Sequence, residues 1–106
     1  MKTKIYHLRF VTGQKNLVPV YQIEKGTHET NGGASIVELF DDSGKLRSTG
    51  YSFCSKADNF NRKLGRKIAT ERAMYLATQN LSETDRVRKN NNKAKAHIIK
   101  HAPELA

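Results

Sequence analysis

The stretch ASIVELFDDSGKLRSTGYSFCS, residues 34–55, carries the strongest fold signal in the chain. In its first part, Val37 and Leu39 fall on one side of an extended chain and Ile36 falls on the other. The polar DDSG that follows is typical of a tight turn, in which Gly44 suits a residue with positive φ. The stretch therefore predicts a β-hairpin.

Two further strands are predicted before the hairpin. Residues 5–11 alternate β-branched and aromatic residues with polar ones, and residues 17–23 form a second apolar run. Pro19 lacks the N–H that a strand interior needs, so this second strand is expected at a sheet edge or as an irregular segment. The glycine-rich EKGTHETNGG, residues 24–33, predicts an exposed loop.

At Ser55 the hydrophobic period changes from two residues to about 3.6. The pattern Ser55-x-x-Asp58 resembles a capping box, so a helix is expected to begin there. Two stripes run along this helix. The large one, expected to face the core, consists of Phe60, Leu64, Ile68 and Tyr75. The small one beside it consists of Gly65, Ala69 and Ala73, and side chains of that size allow close packing against a sheet or another helix.

A second helix is predicted after Ser82-x-x-Asp85, which repeats the helix-start signal. Its apolar stripe is thin and consists of Val87, Ala94 and Ile98. Three consecutive asparagines, residues 90–92, weaken the helix because Asn competes for backbone hydrogen bonds. We expect this helix to be frayed or to depend on a partner.

These elements predict a single α+β domain over residues 1–106, in the order β-β-β-β-α-α. An antiparallel sheet of three to four strands occupies residues 1–55, followed by two helices packed on one side of it. The main basic helix is predicted at residues 56–79, and the second helix at residues 82–101. A chain of 106 residues is long enough for one modest core.

The charge is strongly positive, with 19 Lys and Arg against 10 Asp and Glu and a net charge of +9. Residues 56–106 hold 12 of the basic and 5 of the acidic side chains, so an electropositive face is expected rather than a uniformly basic surface. The single cysteine excludes an intrachain disulfide and fits a reducing compartment. Since neither a signal peptide nor a membrane-spanning run is visible, we expect a soluble, cytoplasmic protein.

The main helix carries two basic ridges in its first half, where carboxylates are scarce. Their mutual repulsion and the helix dipole both disfavour this arrangement, and phosphate groups would relieve it. Side chains further along the chain extend the basic surface. The candidate contacts for nucleic acid or a partner are Lys56, Arg62, Lys63, Arg66, Lys67, Arg72, Arg86, Arg88 and Lys89. The alternative is that the helix presents a solvated face that serves solubility.

The segment GYSFCSKADNFNRK, residues 50–63, resembles the later part of a double-stranded RNA-binding domain. In that family a Ser-Lys-Lys helix start contacts phosphates, and Ser55 and Lys56 match its first two positions. The first helix of that family is replaced here by strands.

Residues 54–73 also resemble a segment of small proteins encoded by bacteriophages, most of which have no assigned activity. The resemblance is carried by Cys54, Asp58, Phe60, Arg62, Lys63, Gly65, Arg66, Ile68, Ala69, Arg72 and Ala73. It implies a phage accessory protein, a class that includes nucleic-acid binders and inhibitors of host defence such as anti-CRISPR proteins. It implies no catalytic residues.

Other residues carry weaker signals for a chemical site. His97 and His101 share a helix face and could bind zinc, but no third ligand is apparent, and surface histidines near a helix end are the alternative. Cys54 could be a nucleophile beside a helix start, although no base can be assigned, so a buried structural role is expected. The carboxylates of Glu38, Asp41 and Asp42 could form a metal-dependent nuclease site. Asp41 and Asp42 lie at a turn, however, where Asp is favoured because of its local hydrogen bonds. An exposed sheet face could also stack bases on Tyr6, Tyr21, Tyr51 and Phe53, whereas the usual role of strand aromatics is in the core or in cross-strand pairs.

The sequence thus predicts a non-enzymatic protein without metal or cofactor that binds nucleic-acid phosphates through the basic helix, largely without sequence specificity. The competing hypothesis is an inhibitor that uses the same face to bind an acidic or nucleic-acid-processing host complex. A homodimer is a further alternative, since the expected core is small.

Overall fold

A computed structural model describes residues 2–23, 28–78 and 84–102, with the side chains of 84 and 85 excepted. Its elements are β1 (Lys2–Phe10), β2 (Leu17–Pro19), a short 3-10 helix (Val20–Gln22), β3 (Asn31–Phe40), β4 (Leu46–Asn59), α1 (Arg62–Thr78) and α2 (Thr84–His101). The predicted α+β class and the order β-β-β-β-α-α are confirmed.

The predicted hairpin forms the centre of the sheet. β3 and β4 pair antiparallel with Ser35 opposite Ser52, and Gly44 in the turn has φ +85°. The Asp41 carboxylate closes the turn by accepting hydrogen bonds from Ser43 N–H at 3.0 Å and Lys45 N–H at 2.9 Å. The turn chemistry read from DDSG is therefore what determines the hairpin register.

All neighbouring strands are antiparallel, in the order β2-β1-β3-β4. β2 is an edge strand that ends at Pro19, as the proline predicted, and a 3-10 turn replaces the expected strand beyond it. Of the predicted loop at 24–33, residues 24–27 lie outside the described residues, whereas Asn31 and the two glycines after it belong to β3.

The two helices cover opposite faces of the sheet, which corrects the expectation that both pack on one side. Val37 and Leu39 pack with α1, whereas Ala34 lies in the cluster that includes Ile98 of α2. Since successive residues of β3 point to opposite faces, these clusters lie on opposite sides of the sheet. The physical reason is that β3 has apolar side chains on both faces, so each face must pack against a helix to be shielded from water.

The contact between α1 and the sheet is made by the small stripe, as predicted for close packing. Its members Gly65, Ala69 and Ala73 are buried. Gly50 of β4 is required opposite them, because a Cβ there would collide with the backbone oxygen of Ala69. The expectation that the large stripe faces the core is wrong at Leu64, which is 52% exposed.

The boundary between β4 and α1 lies later than predicted. β4 continues to Asn59, which pairs with Asn31, so Ser55 and Asp58 are strand residues and not a helix cap. The helix begins at Arg62, and the preceding Asn61 caps it by accepting a hydrogen bond from Leu64 N–H at 3.1 Å. Neither the predicted capping box nor the helix start expected from the RNA-binding-domain resemblance is present.

α2 is continuous from Thr84 to His101 and shows no break at the three asparagines. Ala94 and Ile98 are buried as predicted. The predicted start signal at Ser82 lies outside the described residues. Within residues 2–23, 28–78 and 84–102, neither helix combines the length and the apolar character needed to cross a bilayer.

Candidate nucleic-acid interface

Two arginines of α1 lie beside the part of β1 that the helix leaves uncovered. Arg62 and Arg66 are one turn apart on the flank of α1 that faces His7. Burial lowers the pKa of His7, and the positive charges of these two arginines lower it further. The His7 ring is held by Nδ1 at 2.9 Å from the Ser35 hydroxyl and by an edge contact with Phe60.

Arg9 adds a third guanidinium on the α1-facing side of β1, and it is only 8% exposed. Its Nη2 donates to the backbone oxygens of Glu29 at 2.8 Å and Thr30 at 3.2 Å. Its guanidinium carbon lies 4.6 Å from the centroid of the Phe60 ring, a cation–π distance. The Nε of Arg9 is buried and has no hydrogen-bond partner in the described part of the chain.

We call His7, Arg9, Arg62 and Arg66 the basic cluster. Three of these residues carry full positive charge at neutral pH, and the fourth is an imidazole whose pKa is lowered by its surroundings. The cluster joins the first turns of α1 to the middle of β1.

The next arc of α1 carries Lys63 and Lys67, which are exposed and point away from the sheet. Among the described residues, no side-chain hydrogen bond or salt bridge involves either lysine, nor Arg62 or Arg66. Like charges one turn apart repel by a few tenths of a kcal/mol, and cations near a helix N-terminus are disfavoured by about 0.3–1 kcal/mol. The arrangement is therefore electrostatically unfavourable for the isolated protein.

Lys56 is not on the main helix, which corrects the sequence prediction. It lies in β4, where its Nζ is 3.5 Å from the Glu29 carboxylate and donates to the backbone oxygen of Gln14 at 3.1 Å. The same ammonium lies 4.8 Å from the Phe10 ring centroid. Lys56 therefore links β4 to the segments before β2 and β3.

Arg72 was predicted as part of the outer basic surface, but its side chain turns inward. Its Nη1 donates to the backbone oxygen of Tyr51 at 2.6 Å, on the outer edge of β4. Burial lowers the pKa of Arg72. This arginine is therefore a structural link between α1 and the sheet edge.

The remaining predicted contacts, Arg86, Arg88 and Lys89, are exposed on α2. Arg88 and Lys89 line a shallow groove with Lys93 on the outer surface of that helix. Arg86 lines a groove together with Glu71 and Arg72, so the start of α2 contacts α1. Arg88 and Lys89 lie on the outer surface of α2, away from the basic cluster. The basic surface expected from the sequence is therefore divided between the two helices.

The alternative sites take on structural roles. The Asp41 carboxylate is engaged within the hairpin turn, and no group of three potential metal ligands occurs among the described residues. His97 and His101 both stack on Phe53, at 5.0 and 5.7 Å between ring centroids. Burial raises the pKa of the Cys54 thiol, which is the opposite of what an activated nucleophile needs.

Sequence reasoning missed the part played by His7 and Arg9. The period of two predicts that His7 and Arg9 share one face of β1, but nothing in the local pattern indicated that α1 would bring Arg62 and Arg66 to that face. The available signal was Arg9 itself, a charged residue inside an apolar strand. Leu8 and Phe10 are buried on one face of the sheet, and Arg9 is buried on the other, which faces α1.

No protein-family model, curated protein or solved structure matches this chain. The resemblance of residues 54–73 to phage-encoded proteins therefore stays a prediction.

Proposed function

We propose that this protein is a small, non-enzymatic accessory protein of the phage type that binds nucleic-acid phosphates. The contact surface is the basic cluster together with Lys63 and Lys67. Binding is largely independent of base sequence, and the protein acts in the cytoplasm. The observation that carries the proposal is the concentration of unpaired cations on the first turns of α1.

Phosphates fit this surface in both charge and geometry. Guanidinium groups bind phosphate oxygens through two parallel hydrogen bonds, and lysines add point charges. Arg9 is held by its hydrogen bonds to Glu29 and Thr30 and by its contact with Phe60, so it supplies a fixed charge at the base of the cluster. A bound phosphate would reduce the repulsion between Arg62 and Arg66.

The test is a fluorescence-anisotropy titration of labelled double-stranded DNA, single-stranded DNA and double-stranded RNA across a salt series. Binding by phosphate neutralisation makes log K fall linearly with log salt concentration. Arg62→Ala and Arg66→Ala should each reduce that slope by about one. The matched controls are Arg88→Ala and Lys89→Ala, which remove the same charge from the opposite layer and should leave the slope nearly unchanged.

Two results would overturn the proposal. A salt slope that is equal in the α1 and α2 variants would show that net charge, rather than this surface, attracts nucleic acid. Failure of all three nucleic acids to bind at low salt would assign the surface instead to an acidic or nucleic-acid-processing host protein, which is the inhibitor hypothesis. Sedimentation at the same protein concentrations tests whether the protein forms a homodimer.

A further inference from the structure

A second concave site lies on the opposite face of the sheet, beside α2. It has a volume of about 400 Å³, and its floor includes Leu8, Ile36 and Ile98. Its polar and aromatic lining comes from five elements and consists of Tyr6, Tyr21, Glu38, Tyr51 and Lys95. No residue of the basic cluster lines it.

Three tyrosine rings at one concave site form an aromatic surface that the fold itself leaves open. Tyr21 is 79% exposed and Tyr6 is 37% exposed, whereas Tyr51 is half-buried. Phe53, the fourth aromatic residue considered for base stacking, is covered by His97 and His101 and is not available. Aromatic faces that remain accessible in a pocket are suited to stacking against a planar ligand.

The charged groups at this pocket have both signs. The Glu38 carboxylate interacts with the Tyr6 hydroxyl, which raises the pKa of that tyrosine, and it forms no salt bridge among the described residues. The Lys95 ammonium lies 5.8 Å from the Tyr51 ring centroid. Lys4, which pairs with Glu38 across β1 and β3, has its ammonium 5.7 Å from the Phe40 ring. The pocket lining thus holds one carboxylate acceptor, Glu38, and one cation, Lys95, whereas Lys4 lies outside it.

We infer that this pocket holds one unstacked nucleobase that carries an exocyclic amine. The tyrosine rings stack on the base, Glu38 accepts a hydrogen bond from the amine, and Lys95 faces the attached phosphate. The inference rests on the proposed function and deepens it, because it adds a base-reading site on the other face of the sheet. A volume of about 400 Å³ lies in the range of small-ligand sites.

The charge pattern favours a nucleotide over an organic cation. A guanidinium or alkylammonium ligand would be attracted by Glu38 and the aromatic faces, but Lys95 and a net charge of +9 oppose it. A simple anion would be opposed by Glu38. A planar base with a donor edge and a phosphate tail matches the rings, the carboxylate and the lysine together.

The test compares labelled oligo(dC), oligo(dT) and an abasic strand, each of about eight nucleotides, at one salt concentration. The three strands carry the same phosphates, so any contribution of the basic cluster cancels. Cytosine presents an amine where thymine presents a carbonyl oxygen. The expected result is binding of oligo(dC) at least about fivefold tighter than oligo(dT), with the abasic strand weaker than both.

Three variants assign the effect to the pocket. Glu38→Gln adds an amide donor and removes the charge, so the preference for oligo(dC) should disappear or reverse. Tyr51→Leu should weaken both base-containing strands and leave the abasic strand unchanged. Asn92→Ala, at an exposed α2 residue that does not line the pocket, is the control, with affinities close to those of the unmodified protein. Thermal unfolding of each variant shows that it is folded.

Equal affinities for the three strands would overturn the inference, as would a preference for oligo(dC) that survives Glu38→Gln. Lys95→Gln distinguishes a nucleobase pocket from a cation pocket. If the pocket holds a nucleobase, this variant should bind the oligonucleotides more weakly. If the pocket holds a cation, the same variant should bind arginine amide more tightly. A failure of the proposed function would be detected separately, because the slope of log K against log salt concentration for double-stranded DNA would then be the same in Arg62→Ala, Arg66→Ala and the unmodified protein. The preference for oligo(dC) over oligo(dT) does not depend on that slope.

Discussion

The side chain of Asn91 on α2 occupies the place of a neighbouring strand at Tyr51 of β4. Its Oδ1 accepts a hydrogen bond from Tyr51 N–H at 2.7 Å, and its Nδ2 donates to the backbone oxygen of Thr49 at 3.0 Å. Arg72 of α1 donates to the oxygen of Tyr51. Side chains from both helices thus satisfy backbone groups that an edge strand would otherwise expose.

Replacing Asn91 by alanine should destabilise the protein substantially. The residue is 4% exposed, and its loss leaves the N–H of Tyr51 and the oxygen of Thr49 without a partner. Each unsatisfied buried group costs about 1–3 kcal/mol, so the free energy of unfolding should fall by about 2–6 kcal/mol. Urea unfolding measures this, with the exposed Asn92→Ala as the control, expected to be within about 0.5 kcal/mol of the unmodified protein. Similar midpoints for the two variants would show that the Asn91 hydrogen bonds contribute little.

The close approach of α1 to the sheet predicts different effects for two glycines. In Gly50→Ala the new methyl group meets the rigid helix backbone at Ala69, and the free energy of unfolding should fall by about 3 kcal/mol or more. In Gly65→Ala the methyl group would lie 2.6 Å from the Ser35 hydroxyl, which can rotate away by giving up its hydrogen bond to His7, and alanine adds helix propensity of about 1 kcal/mol. The loss should therefore be smaller at Gly65. Denaturant unfolding of both variants checks this order, and the reverse order would contradict the packing described here.

His7 should make nucleic-acid binding depend on pH. Burial and the nearby Arg62 and Arg66 lower its pKa in the free protein, and a bound phosphate would raise it by favouring the imidazolium form. Affinity for double-stranded DNA should therefore rise as pH falls through the pKa of the bound state, and level off below that of the free state. Titrations from about pH 8 to about pH 5.5 measure the effect. His7→Gln should remove most of it, and a pH dependence that persists in this variant would assign the protonation elsewhere.

Asp41 should contribute to stability in a pH-dependent way. The Ser43 hydroxyl, and then the backbone N–H of Lys45, lower the pKa of this carboxyl in the folded protein. The contribution of Asp41 to the free energy of unfolding is complete above the ordinary pKa of a carboxyl group, and it is lost as pH falls through the lowered pKa of the folded protein. Urea midpoints from about pH 6 to about pH 2 should therefore fall less steeply for Asp41→Asn, whose amide oxygen can still accept the turn hydrogen bonds but does not titrate. An identical pH profile would show that the turn does not depend on the charge.

The candidate interface was only partly predictable. The two basic ridges on α1 follow from helical spacing alone, and the side chains at 62, 63, 66 and 67 are exposed as expected. Lys56 was misplaced because the polar residues 55–59 suit a helix start and an exposed strand equally. The pairing of Asn31 with Asn59 and the hydrogen bond from Phe60 N–H to Thr30 decided for the strand.

The sequence by itself determined the local elements, because alternation, helical spacing and turn residues act over a few neighbouring positions. It predicted the hairpin around Gly44, the edge position of Pro19 and the close-packing stripe of α1. Only the tertiary structure decided that the helices cover opposite faces, that His7 meets Arg62, and that Asn91 completes the edge of β4. The reason is that these contacts join residues 13 or more positions apart, and their free energy comes from burial and hydrogen bonding that exist only once the layers have packed.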